Sequence, residues 1–319
     1  MKVIDKVNSK ITKDGLGVGL GNFDGLHIGH MSLLSALITE CEKRKLKSLL
    51  YTFFDHPENV LSKNRRATPQ IITTEKKTEL LRRTNIDYVL LEIFDKSYAK
   101  MSPEIFVKKI LVDMLKVKFV VIGFNYTFGY KGSGSVEDMQ AFAEKYGFDC
   151  IVVLPIKIGR EIISSTLVRK YIKQGSVNRA RICLGRYYSI YGVVQLGRQI
   201  GTSIGFPTAN IIPEDHLVLP KSGVYVTCTV LDGQIYDSIT NVGSNPTFGE
   251  LEKVICETHI FEREGNLYGK RIEVLFMAKL REEIKFESKE DLCNQINMDI
   301  IAAREFFACE SRRSKTERA

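Results

Sequence analysis

Gly17-Val18-Gly19-Leu20-Gly21-Asn22-Phe23-Asp24-Gly25-Leu26-His27-Ile28-Gly29-His30 passes from an apolar, strand-like run through a glycine-rich turn into the first long helix-like stretch, residues 30–44. A strand that turns directly into a helix is the opening step of an α/β fold. The pattern recurs downstream. Strand-like runs at Leu46–Phe54, Tyr88–Ile93, Phe119–Ile122 and Cys150–Leu154 alternate with helix-like stretches at 75–84, 103–116 and 136–146. A parallel, Rossmann-like sheet with crossover helices is therefore expected. Ser102-Pro103-Glu104 marks one helix start, with an N-cap, a proline at the first helical position and an acidic first turn.

After a short helical piece, Thr166 to Ala180, the texture changes at about Gly185. Runs at Ser189–Leu196, Val224–Leu231, Ile235–Val242, Val254–Phe261 and Arg271–Met277 follow one another with glycine and proline between them and no helix, which favours antiparallel pairing in a small barrel. Leu292, Ile296, Ile300, Ala303 and Phe307 then recur at helical spacing and predict one closing helix. A chain of 319 residues accommodates two domains, and the change of texture divides it into 1–185 and 186–319.

Composition narrows the class of protein. No apolar run approaches the roughly 18 residues of a membrane span, and the amino terminus alternates charge with apolar residues, unlike a secretory signal. A cytoplasmic protein without membrane contact is expected. The seven cysteines stand singly, at 41, 150, 183, 228, 256, 293 and 309, which argues against a zinc site or a disulfide framework. The net charge of +8 suits anionic ligands, although Ser311 to Ala319 alone carry four basic residues against one acidic. No basic run is interleaved with aromatic residues, so nucleic acid is not an expected partner.

Two stretches carry candidate phosphate chemistry in the first half. In the turn from Gly21 to His30, glycines allow close backbone approach and the helix N-terminus offers free N–H groups and a favourable dipole. Gly21, Phe23, Asp24, Gly25 and Gly29 are its candidate ATP-binding members, with His27 and His30 placed to bind phosphate oxygens. Nucleotidyl transfer needs negative charge neutralised on the attacked phosphorus and on departing pyrophosphate, which such donors supply. An isolated histidine at a helix start would more often be a cap or a surface residue. The second stretch is Ile163-Ser164-Ser165-Thr166-Leu167-Val168-Arg169, where hydroxyls can cap a helix whose N–H groups hold phosphate while Arg169 reaches the same oxygens. An ordinary Ser/Thr-capped helix is the alternative. The His-x-Gly-His string also resembles the signature of class I aminoacyl-tRNA synthetases, but Lys100-Met101-Ser102 is explained by helix capping and the chain lacks room for tRNA-binding modules.

The second half has no GxxxxGK[ST] loop, so phosphoryl transfer there must rest on other contacts. Thr208 and Asn210, in Gly205-Phe206-Pro207-Thr208-Ala209-Asn210, would share a face if extended and offer hard oxygen ligands suited to Mg²⁺. Glu257, on a strand-like segment, could take the proton of an attacking hydroxyl. A polar turn and a solvent-facing glutamate are the bland alternatives.

These motifs, together with His56-Pro57, Gly123-Phe124-Asn125-Tyr126-Thr127-Phe128-Gly129, Gly223-Val224-Tyr225, Asn241-Val242-Gly243, Pro246-Thr247-Phe248, Tyr268-Gly269, Leu280-Arg281-Glu282, Lys285-Phe286, Asp299 and Arg304, resemble the prokaryotic bifunctional riboflavin kinase/FMN adenylyltransferases (FAD synthetases) in order and spacing. The resemblance spans Gly21 to Arg304. It implies a nucleotidyltransferase domain followed by a six-stranded antiparallel β-barrel riboflavin kinase with a terminal helix. It also implies Mg²⁺ and ATP, with riboflavin, FMN and FAD as substrates or products and homo-oligomerisation open. By the same resemblance, His27, His30, Ser164, Ser165, Thr166 and Arg169 would hold ATP, with His56 and Asn125 near the nucleotide or flavin phosphate. Thr208 and Asn210 would hold Mg²⁺–ATP, Glu257 would activate the ribityl 5′-hydroxyl, and Arg281 would be a flavin-side or loop-closing residue. The chain departs from the family pattern in carrying Asp55 where Pro-His-Pro is common, and Thr202 where an arginine is common. A single retained activity, or a flavin-binding regulator, are the competing readings.

Overall fold

The strand-like runs of the first half become one six-stranded sheet, every pair parallel. The computed structural model describes residues 1–4, 11, 13–54, 68–197, 201, 204–214, 216–245, 253–263 and 265–316. The chain forms two compact units, Met1–Leu167 and Val168–Ala319.

In the first unit the order along the chain is β1 (Lys2–Ile4), β2 (Leu16–Leu20), α1 (Ile28–Arg44), β3 (Lys47–Phe53), α2 (Thr74–Arg82) and β4 (Tyr88–Glu92). Next come α3 (Pro103–Ile105, running on as a π-helix over Phe106–Met114), β5 (Val117–Gly123), α4 (Val136–Tyr146) and β6 (Asp149–Val153). The hairpin β7 (Lys157–Ile158) and β8 (Glu161–Ile162) follows. Across the sheet the strands stand β1-β4-β3-β2-β5-β6, so the chain builds outward from β2 on one side and then crosses to β5 on the other. That reversal makes the carboxyl end of β2 a topological switch point of the sheet. Leu16, Val18, Leu49, Val120 and Ile122 are fully buried, as expected of strands covered on both faces. Gly17 is required for the packing of α1: a Cβ there would lie 2.4 Å from Cys41 Sγ on that helix and 2.3 Å from the Phe119 ring.

Two details depart from the sequence expectation. The edge strand β1 went unread because three residues are too few to show a period. Helix α1 begins two residues before the expected start at 30, because the ring of His27 is itself the cap, its Nδ1 accepting from His30 N at 3.2 Å. Helix α4 matches expectation, with Ser135 and Asp138 forming a reciprocal capping box and Gly147 in the left-handed conformation at its end.

The second unit opens in the middle of α5 (Ser165–Lys173), and α6 (Val177–Leu184) follows. The helical piece expected over 166–180 is thus two helices, broken at Gly175, whose φ of +74° stops α5. Then come β9 (Tyr188–Val193), β10 (Ala209–Ile211), β11 (Gly223–Leu231), β12 (Gln234–Asn245), β13 (Lys253–Ile260), β14 (Arg271–Arg281) and α7 (Lys289–Thr316). They form a six-stranded antiparallel sheet in the order β10-β13-β12-β11-β14-β9. A bridge between Gln195, just beyond β9, and Asn210 on β10 curls its two edges together. Its interior carries Tyr188, Tyr225 and Phe276 beside a ladder of hydroxyls from Thr229, Ser238, Thr227, Thr240 and Thr258, each fully buried and bonded to the next at 2.8–2.9 Å. Val226, Ile239 and Met277 face outward and are covered by α7 through Ala303, Ile300 and Phe307.

Candidate active sites

The turn after β2 lies at the reversal of strand order, between the ends of β3 and β5. Ligands bind α/β sheets at this position. The turn carries Phe23, Gly25 and Leu26 at φ of +51°, +81° and +41°. Two of these are not glycine, and burial holds them there: Phe23 and Leu26 are 0% and 2% exposed. The Asp24 carboxylate accepts from Ile71 N at 2.9 and 3.2 Å, locking the turn to the segment before α2. Phe23 and Asp24, both expected among the ATP-binding members, thus have inward-facing side chains that shape the turn.

His27 and His30 stack, with ring centroids 3.6 Å apart and planes 15° from parallel, and the Phe23 ring stands 5.1 Å from His30. Because His27 Nδ1 accepts a backbone hydrogen bond, a neutral His27 carries its proton on Nε2, which is then a donor. His30 Nδ1 is enclosed and has no hydrogen-bond partner. Burial, then the neighbouring His27 and Lys77, hold the His30 pKa well below its usual 6.5, so its ring is neutral near pH 7.

The serine segment is brought to the same place. Ser165 Oγ donates to the carbonyl of Asp24 at 2.9 Å, and the carbonyl of Ile163 lies 3.9 Å from the position a Cβ on Gly29 would take. Ser164 Oγ accepts from Leu167 N at 3.2 Å, as an N-cap does. Thr166 is exposed, and Arg169 follows Ser165 by four residues on α5. Asn125 is exposed in the turn after β5. His56 and Asp55 lie outside the described residues, as does Thr202.

Lys77 was missed in the sequence. It is 5% exposed, and its Nζ donates to the carbonyls of Asn22 at 3.1 Å and Phe53 at 3.3 Å, at the ends of adjacent strands. Nothing in Thr74-Glu75-Lys76-Lys77 distinguishes it, because lysines at a helix start are ordinarily solvated.

In the second unit Asn210 pairs with Glu257 across β10 and β13, and Glu257 pairs with Asn241 across β13 and β12. Directly paired residues project from one face, so amide, carboxylate and amide stand in a row. Thr208 precedes the strand, and its carbonyl accepts from Asn210 Nδ2 at 3.4 Å. Asn210 is 8% exposed, and its Oδ1 is buried without a hydrogen-bond partner. A buried acceptor left unpaired is costly, and it fits a site that completes itself with a cation. Arg281 forks onto Asp299 of α7 at 2.7–3.1 Å, and Gln295 also donates to that carboxylate. Its guanidinium is thus committed to the strand–helix corner. Among the described residues no group of three or more His, Cys, Asp and Glu side chains could hold a metal ion.

The chain matches the FAD synthetase family over residues 9–167 and the riboflavin kinase family over 184–307. A bifunctional riboflavin kinase/FMN adenylyltransferase of Buchnera aphidicola is 34% identical over 96% of this chain and 98% of its own. The protein of that name from Escherichia coli K12 is 33% identical over the same shares, and one from Listeria monocytogenes 32% over 91% and 92%. A crystal structure described as a macrolide-efflux protein from Streptococcus pneumoniae superposes with a TM-score of 0.84 at 28% identity, covering 95% of this chain and 98% of that one. Among the described residues of this chain, no helix is long and apolar enough to cross a membrane.

Proposed function

This chain belongs to the family of bifunctional riboflavin kinase/FMN adenylyltransferases, and from that premise we propose that it makes both flavin coenzymes. Its second unit phosphorylates riboflavin to FMN, and its first adenylylates FMN to FAD with release of pyrophosphate. The observation that carries the reading is the presence of two polar constellations, one at the turn after β2 and one on β10 and β13, each matched to one reaction.

In the adenylyltransferase, a phosphate oxygen of FMN attacks the α-phosphorus of ATP and pyrophosphate leaves. No protein nucleophile is needed, only neutralisation of charge. The N-terminus of α1 and His27 Nε2 are donors for this, with His30, Ser164, Ser165, Thr166 and Arg169 as further contacts. Gly21, Gly25 and Gly29 keep the backbone close, and Phe23 and Asp24 hold its shape. Asn125 and His56 are the flavin-side candidates.

In the kinase, Glu257 takes the proton of the ribityl 5′-hydroxyl as that oxygen attacks the γ-phosphorus, and ADP leaves. Thr208 and Asn210 would hold Mg²⁺, the unpartnered Oδ1 of Asn210 being the feature that fits it. Bound there, the ion would neutralise phosphate charge. Arg281 contributes on the flavin side by fixing the end of β14. We assign the functional boundary to residue 185, next to the first residue of the riboflavin kinase match at 184. We place this chemistry in the cytoplasm, the setting expected from cysteines that stand singly in the sequence.

Incubation of the pure protein with riboflavin, ATP and Mg²⁺, followed by separation of the flavins, tests the reading. FMN and then FAD are expected, and FMN supplied alone gives FAD. Formation of neither product would refute it, and FAD from FMN but not from riboflavin would leave a monofunctional enzyme.

A further inference from the structure

Lysine is among the residues least often found buried, and desolvating an ammonium is costly wherever it occurs. Lys77 is nonetheless 5% exposed, on α2, with its Nζ 3.1 Å from the carbonyl of Asn22 and 3.3 Å from that of Phe53. Asn22 belongs to the turn that leads into His27, and Phe53 is the last residue of β3. Thr52 Oγ1 adds a bond to the same Asn22 carbonyl at 2.9 Å. The carboxyl ends of two adjacent parallel strands are thus gathered under one cation, at the point where the strand order reverses. Those strand ends lead, respectively, into the His27–His30 turn and into the segment holding His56.

We propose that Lys77 is a positioning residue of the adenylyltransferase, its buried ammonium holding the turn after β2 against the end of β3 and supplying fixed positive charge beneath the triphosphate of ATP. The inference rests on the adenylyltransferase reading of this site. Two independent features support it. The hydrogen bonds join segments that a ligand at that point would touch together. The charge also reaches the candidate phosphate-binding ring: with burial and His27, Lys77 keeps His30 deprotonated, and these are the charged groups acting on it. Lys77 therefore adds positive charge next to His30, which itself presents a neutral ring.

The test uses the full chain with Lys77→Met, which keeps the length of the side chain without charge. Lys77→Gln keeps a donor without charge and stands in if the methionine variant does not fold. Lys77→Arg keeps the charge. In FAD formation from FMN, both neutral variants are expected to raise the KM for ATP by about ten-fold or more, while the same preparations phosphorylate riboflavin within about two-fold of wild type, the scale of experimental scatter rather than of a lost contact. The imidazole titration of His30, followed by NMR without substrate, should move upward in the neutral variants and stay near wild type in Lys77→Arg. A purely structural lysine would lower the melting temperature and leave the KM for ATP and the His30 midpoint unmoved, which overturns the proposal. Wild-type protein that forms no FAD overturns the adenylyltransferase reading and this inference with it. That result differs from failure of the inference alone, in which wild type is active and the neutral variants match it.

Discussion

Glu257 stands directly opposite Asn210 across the β10–β13 ladder, so the candidate base and the candidate metal oxygen project from one face of neighbouring strands. Paired residues of antiparallel strands have Cβ atoms about 5 Å apart. A single phosphoryl group, with its cation on one side and the attacking hydroxyl on the other, spans such a gap. Their chain separation conceals this, since β11 and β12 intervene between them in sequence.

Glu257→Gln keeps the size of the side chain and removes its basicity. FMN formation from riboflavin should fall by roughly 10²–10⁴-fold, the usual contribution of a general base, while FAD formation from added FMN is retained. Flavin separation after parallel reactions with each substrate checks this, and equal loss of both activities would contradict the assignment of the two reactions to separate units.

Asn210 holds a buried, unpartnered oxygen and one weak side-chain bond at 3.4 Å. Its replacement by alanine should therefore change stability without ligands by no more than about 1 kcal/mol, because relief of the unpaired acceptor offsets the lost bond. Kinase activity should demand at least about ten-fold more Mg²⁺, the effect of losing one oxygen ligand worth some 1.4 kcal/mol. Denaturant unfolding and a Mg²⁺ titration of FMN formation separate the two effects.

His30 is predicted to make the first unit acid-sensitive. Its pKa in the folded protein is lowered by burial, by His27 and by Lys77, so the unfolded chain binds a proton that the folded one does not. Stability from this source is fully present above the unfolded pKa of about 6.5 and falls as pH drops below it toward the folded value. In His30→Gln this part of the slope should vanish. Melting temperatures of both proteins from pH 7.5 to 5 provide the check, and parallel curves would rule the linkage out.

Arg281 and Asp299 form a two-pronged ion pair with side chains 18% and 6% exposed. Asp299→Ala leaves the guanidinium without its carboxylate and should cost about 3 kcal/mol, the lower end for a buried pair given the partial exposure of the arginine. Denaturation followed through each activity should show kinase loss moving to lower denaturant while adenylyl transfer keeps its midpoint. If both midpoints hold, the pair is not what secures α7 to β14.

Much was legible in the residues taken alone. The apolar runs and their flanking helical stretches announced a parallel sheet, because a strand buried on both faces must be apolar throughout, as Leu16 to Leu20 is. Ser102-Pro103 announced a helix start because capping is a local interaction, completed within four residues. The Gly21–His30 string was readable for the same reason, since glycines, cap and imidazoles all act within one turn. Sequence therefore determined the succession of the longer elements, the division into an α/β and a β-rich half, and the two polar strings that chemistry would use. Only tertiary structure decided which strands are neighbours: it set β5 beside β2, curled Asn210 of a three-residue strand against Glu257, and forked Arg281 onto Asp299. Lys77 is the sharpest case. Its sequence neighbours are those of an exposed helix start, and its burial follows from strand ends contributed from residues 22 and 53, whose meeting depends on a hydrogen-bonded sheet and a buried core that no local stretch of chain encodes.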